Sequence, residues 1–172
     1  MKTMPTVAQL QKIWLLSDTV LYREASNFVR KFVREQHCNP LPSSQINGLL
    51  SIAEAARYDD LHQFVVHQRD RNWPPSKQDI KTFYTELEKI LSHMQHKRLK
   101  DDFHLLTDTD GKSVSEIRNE EKALMALLAR EFIQHLVAEN GLLLAEAEDK
   151  RKQDWQQSKV GGKRDGNKYT KQ

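Results

Sequence analysis

SKQDIKTFYTELEKILSHM, residues 76–94, decides the fold class. Ile80, Phe83, Tyr84, Leu87, Leu91 and Met94 recur at spacings of three and four, which gathers them on one face of an α-helix. Ser76 followed by Asp79 has the pattern of a capping box, so a helix is predicted to open here. The same period continues in both directions, and nowhere do four or more residues alternate apolar and polar within a β-branched run. The chain reads as all-α.

Upstream, a first helix is predicted from Thr6 with Val7, Leu10 and Trp14 on one face, and a second from about Thr19 to Gln36. Asn39-Pro40-Leu41-Pro42 ends the second, because proline excludes the helical region for the residue before it. Ser43 or Ser44 is expected to cap a third helix that carries Ile46, Leu49, Leu50 and Ala53 and stops near Tyr58. Asp59 or Asp60 would cap a short fourth helix with Leu61, Phe64 and Val65 inward, ending at Arg71 before Trp73-Pro74-Pro75.

Downstream lies a polar connection containing Asp108-Thr109-Asp110-Gly111, after which Ser113 and Glu116 repeat the capping box. They open a long helix whose Met125, Leu128, Ala129, Phe132, Ile133, Leu136 and Val137 keep one apolar face. Asn140-Gly141 reads as a stop signal, with a final helix from Leu142 to Trp155. The expectation is a single-domain bundle of about six to seven helices over residues 1–158, followed by a flexible basic tail over 159–172.

A chain of 172 residues fits one domain with a sizeable core. Its single cysteine, Cys38, excludes an internal disulfide and a cysteine-cluster metal site. No stretch approaches the ~20 apolar residues needed to span a bilayer, and the N-terminus lacks a signal-peptide core, so the chain reads as cytosolic, with no membrane partner. The net charge of +3 hides a division. Residues 150–172 hold eight of the 27 Lys and Arg against Asp154 and Asp165, which leaves 19 against 22 acids in the first 149 residues. The body is mildly acidic, so a binding surface must come from local patches.

Three such patches stand out. On the second helix, about 100° per residue brings Arg23, Asn27, Arg30, Arg34 and His37 into one stripe that contains no acid of its own. Such a ladder suits a phosphate backbone, since guanidinium meets phosphate oxygens bidentately and keeps its charge; an ordinary solvated face is the alternative. His67, Arg69, Arg71 and Trp73 close the fourth helix, where cations also complement the helix dipole and Trp73 could stack on a base or support a guanidinium. His96, Lys97, Arg98 and Lys100 form the third patch, with the same two readings.

Catalysis and metal chemistry find little support. Arg130 and His135 have the spacing of the helical ribonucleases of the HEPN type, but five residues along a helix set them about 140° apart, where they do not share a proton. His93 and His96 lack a third ligand. The Asp108 segment has its glycine and Lys112 at the wrong positions for a calcium loop. No catalytic residue, metal or cofactor is expected.

The order of features over residues 43–91 resembles the small subunit of type III CRISPR effector complexes. The residues that carry this are Ser43-Ser44-Gln45-Ile46 opening a helix, the run Phe64-Val65-Val66-His67-Gln68-Arg69-Asp70-Arg71, and the following helix with Phe83-Tyr84 and Leu87. The resemblance implies an all-helical, non-catalytic protein whose copies stack along a ribonucleoprotein and offer basic side chains to guide or target RNA. It points to Arg69 and Arg71.

The expected function is a non-catalytic subunit that binds an RNA backbone through Arg23, Arg30, Arg34, Arg69, Arg71, Lys97 and Arg98, with other subunits of the complex as partners. In this reading the basic tail adds affinity without defining a site. A helical protein-interaction module is the alternative, and a small helical ribonuclease a third.

Overall fold

The computed structural model describes residues 4–55, 57–106 and 109–161, with side chains to 159. Its helices are α1 (Val7–Leu16), α2 (Tyr22–Arg30), α3 (Ser43–Glu54), α4 (Tyr58–Asp70), α5 (Gln78–His93) and α6 (Val114–Gly161), with no strand among the described residues. The all-α single domain expected from the periodicity is what forms. The helices make five continuous rods rather than six or seven, for two local reasons.

The first two predicted helices are one rod over 7–35. A π-helical turn, Ser17–Leu21, joins α1 to α2, and a second, Lys31–Glu35, extends α2. Thr19, read as a helix start, instead turns its hydroxyl back onto the Leu15 carbonyl at 2.6 Å and stays inside the rod. The rod opens where expected: Thr6 accepts from the Gln9 N–H at 3.2 Å, and Gln9 Oε1 accepts from the Thr6 N–H at 2.8 Å. It ends at His37, whose φ of 55° lets the Cys38 N–H reach back to the Phe32 carbonyl.

The stop predicted at Asn140-Gly141 does not occur, and α6 runs for 48 residues, about 70 Å. Asn140 is 1% exposed and engaged elsewhere. Its Oδ1 accepts from the Leu41 N–H at 2.8 Å and its Nδ2 donates to the Leu41 carbonyl at 3.0 Å, so one side chain satisfies both polar groups of a buried residue. The predicted final helix from Leu142 is the second half of α6. Residues 159–161, where the basic tail was expected to begin, are helical, and 162–172 lie outside the described residues.

Three predicted caps are also reassigned; Ser43 and Ser44 lie inside α3, whose N-cap is Pro42. Asp79 does not cap α5; it accepts from the Asn39 N–H at 2.8 Å and from the Asn39 side chain, fastening the end of the first rod, while a 3₁₀ turn, Pro75–Lys77, leads into α5. Asp59 and Asp60 lie in the first turn of α4, paired with Lys122 and Arg57. The box at Ser113 and Glu116 forms. Backbone and hydroxyl hydrogen bonds from Ser113 hold the Glu116 carboxyl below its usual range, so this cap is complete above that range and fades as pH falls through the lowered value.

The core is one cluster. Leu124, Met125, Leu128, Ala129, Phe132, Ile133 and Leu136 of α6 are buried with Ala25, Val29 and Phe32 from the first rod, Leu49 of α3, Leu61 and Val65 of α4, and Phe83, Tyr84 and Leu87 of α5. The first rod and α6 lie side by side and parallel, stapled from end to end. Gln9 bonds Glu120 at 2.8 Å, Ser17 bonds Glu131 and His135, and Arg30 bonds Glu139 at 2.6 Å. Burial alone would raise the Glu120 pKa, but the hydrogen bonds from Lys112 and Gln9 outweigh it and keep the carboxylate charged.

Asn140→Ala orphans two buried backbone groups and is expected to lower stability by about 2–4 kcal/mol in urea denaturation. Gly141→Ala, in an exposed helical turn with no atom within 4 Å of the added methyl, should raise it by about 0.5–1 kcal/mol.

Candidate nucleic-acid interface

The arginine stripe contains no acid in sequence, and the fold supplies the acids from α6. Arg30 Nε meets Glu139 Oε1 at 2.6 Å, a carboxylate that is itself buried, and this hydrogen bond raises the guanidinium pKa. Arg34 lies 3.7 Å from Glu146, with both groups exposed. The π turn over 31–35 and the left-handed backbone of His37 take the end of the stripe off its regular path. Arg23 is exposed and has no ion pair among the described residues. Asn27 lines a cleft between α2 and α5.

The α4 cluster is similarly engaged. Arg69 is held by Asp70 at 2.7 and 2.9 Å and lies 3.5 Å from Glu88 on α5; the Asp70 hydrogen bond raises the Arg69 pKa and lowers that of Asp70. Trp73 is only 6% exposed and its Nε1 donates to the Gln68 carbonyl at 2.7 Å, so it has no free face for a base. It supports a guanidinium instead: Arg71, exposed at the surface, stacks 4.5 Å above its ring.

Arg98 is a structural residue. It is 15% exposed, grips Glu24 bidentately at 2.6 and 2.9 Å, reaches Asp102 at 3.4 Å and stacks 4.5 Å over Phe103. It ties the π turn Met94–Arg98, which extends α5, to α2. Lys97 and Lys100 are exposed beside it. Glu88, which steadies Arg69, projects about 100–160° around α5 from Glu86, Lys89 and His93, which face α2. The structure therefore brings Arg98 to the flank of Asn27 and keeps Arg69 and Arg71 on another side of the molecule.

Two features lay beyond sequence reasoning. Ser17 Oγ is 2.8 Å from His135 Nε2 and 3.0 Å from Glu131 Oε2, with Tyr22 edge-on to the His135 ring. Both α6 side chains address the same hydroxyl, and Ser17 is 4% exposed, so the group staples rods together; a nucleophile would need an accessible hydroxyl and a carboxylate behind the imidazole. Arg130 turns instead to Glu131 at 3.1 Å. The spacing of Glu131 and His135 on one face was visible, but their partner, 114 and 118 residues away, was not.

The second feature is the end of α6. From Ala145 onward every described side chain but Ala147 is exposed. Arg151, Lys152 and Lys159 share a face with Trp155, which is 59% exposed, and Lys159 Nζ sits 3.7 Å over the indole. Lys152 has only a 4.0 Å approach to Asp149, and Lys150, Arg151 and Lys159 have no ion pair among the described residues.

No group of His, Cys, Asp or Glu among the described residues is arranged to hold a metal ion, and none of their helices is long and apolar enough to cross a membrane. No protein-family model, curated protein or solved structure matches the chain.

Replacing Arg98 by Ala leaves Glu24 without its partner and uncovers Phe103; the expected loss is roughly 1–3 kcal/mol, discounted for the half-exposed carboxylate. Arg23→Ala and Lys97→Ala should leave the denaturation midpoint unchanged.

Proposed function

We propose that the protein is a non-catalytic, RNA-backbone-binding subunit of a ribonucleoprotein, of the kind implied by its resemblance to the small subunit of type III CRISPR effector complexes. The observation that supports this best is where unneutralised charge lies. Arg30, Arg34, Arg69 and Arg98 each have a carboxylate within 4 Å, whereas Lys150, Arg151 and Lys159 have none among the described residues and stand on the exposed end of α6, Arg151 and Lys159 on the face of Trp155. Residues 162–172 add Lys163, Arg164, Lys168 and Lys171 against Asp165 in sequence. Free cations flanking an accessible indole suit a single-stranded backbone, with phosphates on the cations and a base on the ring. Arg23, Arg71 and Lys97 are secondary contacts on the body, and Arg30 and Arg34 act on RNA only by exchanging their carboxylates for phosphate.

The interaction-module reading is favoured by one observation of its own. Val7, Trp14 and Tyr22 are 71%, 56% and 55% exposed at spacings of seven and eight along the first rod, the extra residue being absorbed by the π turn. An apolar line of this kind suits a neighbouring subunit. The two readings are compatible, since a subunit needs both a protein-facing and an RNA-facing side.

Binding to a fluorescein-labelled single-stranded RNA, followed by anisotropy across a salt series, tests the RNA reading. Reversing Lys150, Arg151 and Lys152 to Glu should weaken binding strongly and flatten the log–log salt slope by about 0.7 for each phosphate left without its cation. Arg30→Glu with Arg34→Glu should have a smaller effect. Unchanged binding in the triple variant would overturn the assignment to α6, and no binding by the intact chain at low salt would overturn the RNA reading itself.

A further inference from the structure

Between α2 and α5 lies a cleft of about 450 Å³, within the size class of small-molecule sites. Its floor is apolar and largely aromatic, formed by Phe28, Phe32, Ile90 and Phe132. Around its mouth stand Asn27, Lys31, Gln36 and His93, whose side chains have no hydrogen-bond or ion-pair partner among the described residues. Glu24 and Glu86, the two acids of the rim, are already bound, by Arg98 at 2.6 Å and by Lys89 at 2.7 Å. The walls are unusual in the same way on both sides: Lys31 and Phe32 belong to one π turn and Arg98 to another. A π turn carries an extra residue, which widens the helix locally and is a recurrent device at binding sites.

We infer that this cleft binds a nucleotide unit, a base seated on the phenylalanine floor with its phosphate at Lys31 and Lys89. The floor calls for a flat, apolar body. The amides of Asn27 and Gln36 each offer a donor and an acceptor, which is what the edge of a nucleobase requires and a hydrocarbon ligand does not. Lys31 is a cation without an acid partner among the described residues, and the exposed Glu86–Lys89 pair is of the weak kind that yields to phosphate. A cationic ligand would meet Lys31, Lys89 and Arg98 together, so the anionic choice follows from the rim. The nucleotide is either a base splayed out of a single-stranded RNA, which rests on the function proposed above, or a free mononucleotide, which does not.

The experiment uses the full chain, with AMP and UMP titrated by calorimetry up to about 10 mM, alongside a single-stranded RNA and its duplex. Asn27→Ala and Lys31→Glu are exposed positions, with unchanged thermal melts as the folding control, and Lys77→Glu, exposed at the opposite end of α5 from the cleft, serves as a distant control. Saturable mononucleotide binding, weakened about tenfold by each cleft variant and unaffected by Lys77→Glu, is the expected result. Tighter binding of the single strand than of the duplex, sensitive to the same two variants, assigns the base to RNA. Mononucleotide binding without RNA binding upholds the cleft and overturns the RNA reading. RNA binding that ignores both cleft variants, with no mononucleotide binding, overturns the cleft and leaves the RNA reading in place.

Discussion

The buried amide of Asn140, closed on both polar groups of Leu41, is the contact on which the arrangement of the molecule depends. Leu41 lies in a segment with prolines on either side, between the first rod and α3, where the backbone has no helical partner for its N–H or carbonyl. Supplying both from α6 pins that turn to the longest helix and spares the interior two unsatisfied groups. It also commits Asn140 to a helical backbone. With its side chain occupied, the residue cannot make the local hydrogen bonds through which Asn ordinarily terminates a helix, and Gly141 follows it in the helix.

From that pin the parallel pairing of the first rod and α6 follows. Parallel neighbours need a long return path, which α3, α4 and α5 provide, and their packing leaves a seam along which polar side chains meet. Gln9 with Glu120, Ser17 with Glu131 and His135, and Arg30 with Glu139 keep register over the whole seam. Each of these pairs is separated by more than 100 residues in sequence. Their cost in the local charge balance is that the best-looking cationic stripe of the chain is used in part to hold the fold.

This is also the boundary of what could be read from sequence. Helical class and the faces of α5 and α6 were legible, because periodicity is a property of one helix and Ile80, Phe83, Leu87 and Leu91 state it locally. The helix start at Thr6 and the box at Ser113 were legible for the same reason, their residues lying within one turn of each other. Asp79 had the right local neighbour in Ser76 but a better distant one in Asn39, and Asn140 had its partner at Leu41. The acids that face the arginine stripe were hidden in the same manner: a helical wheel shows that Arg30 and Arg34 have no acid beside them on their own helix, and is silent about Glu139 and Glu146 on another. The cleft was illegible because its floor is assembled from three helices and reads, helix by helix, as ordinary core.

What became of the basic C-terminus follows from the cooperativity of helices rather than from any contact it makes. A free helix of the length of residues 145–161 is marginal in water, because the first turn must be formed at a loss before each further residue adds its bond. Here the first turns already exist, locked in the core by Phe132, Leu136 and Leu143, and the exposed residues only propagate them. Lys150, Arg151, Trp155 and Lys159 are thereby held at fixed intervals beyond the body without being packed against it. The positive charge that composition placed at one end of the chain becomes a directed feature because α6 does not stop at Asn140. A substitution that broke the helix there would leave every basic residue in the chain and remove the geometry that makes them a surface.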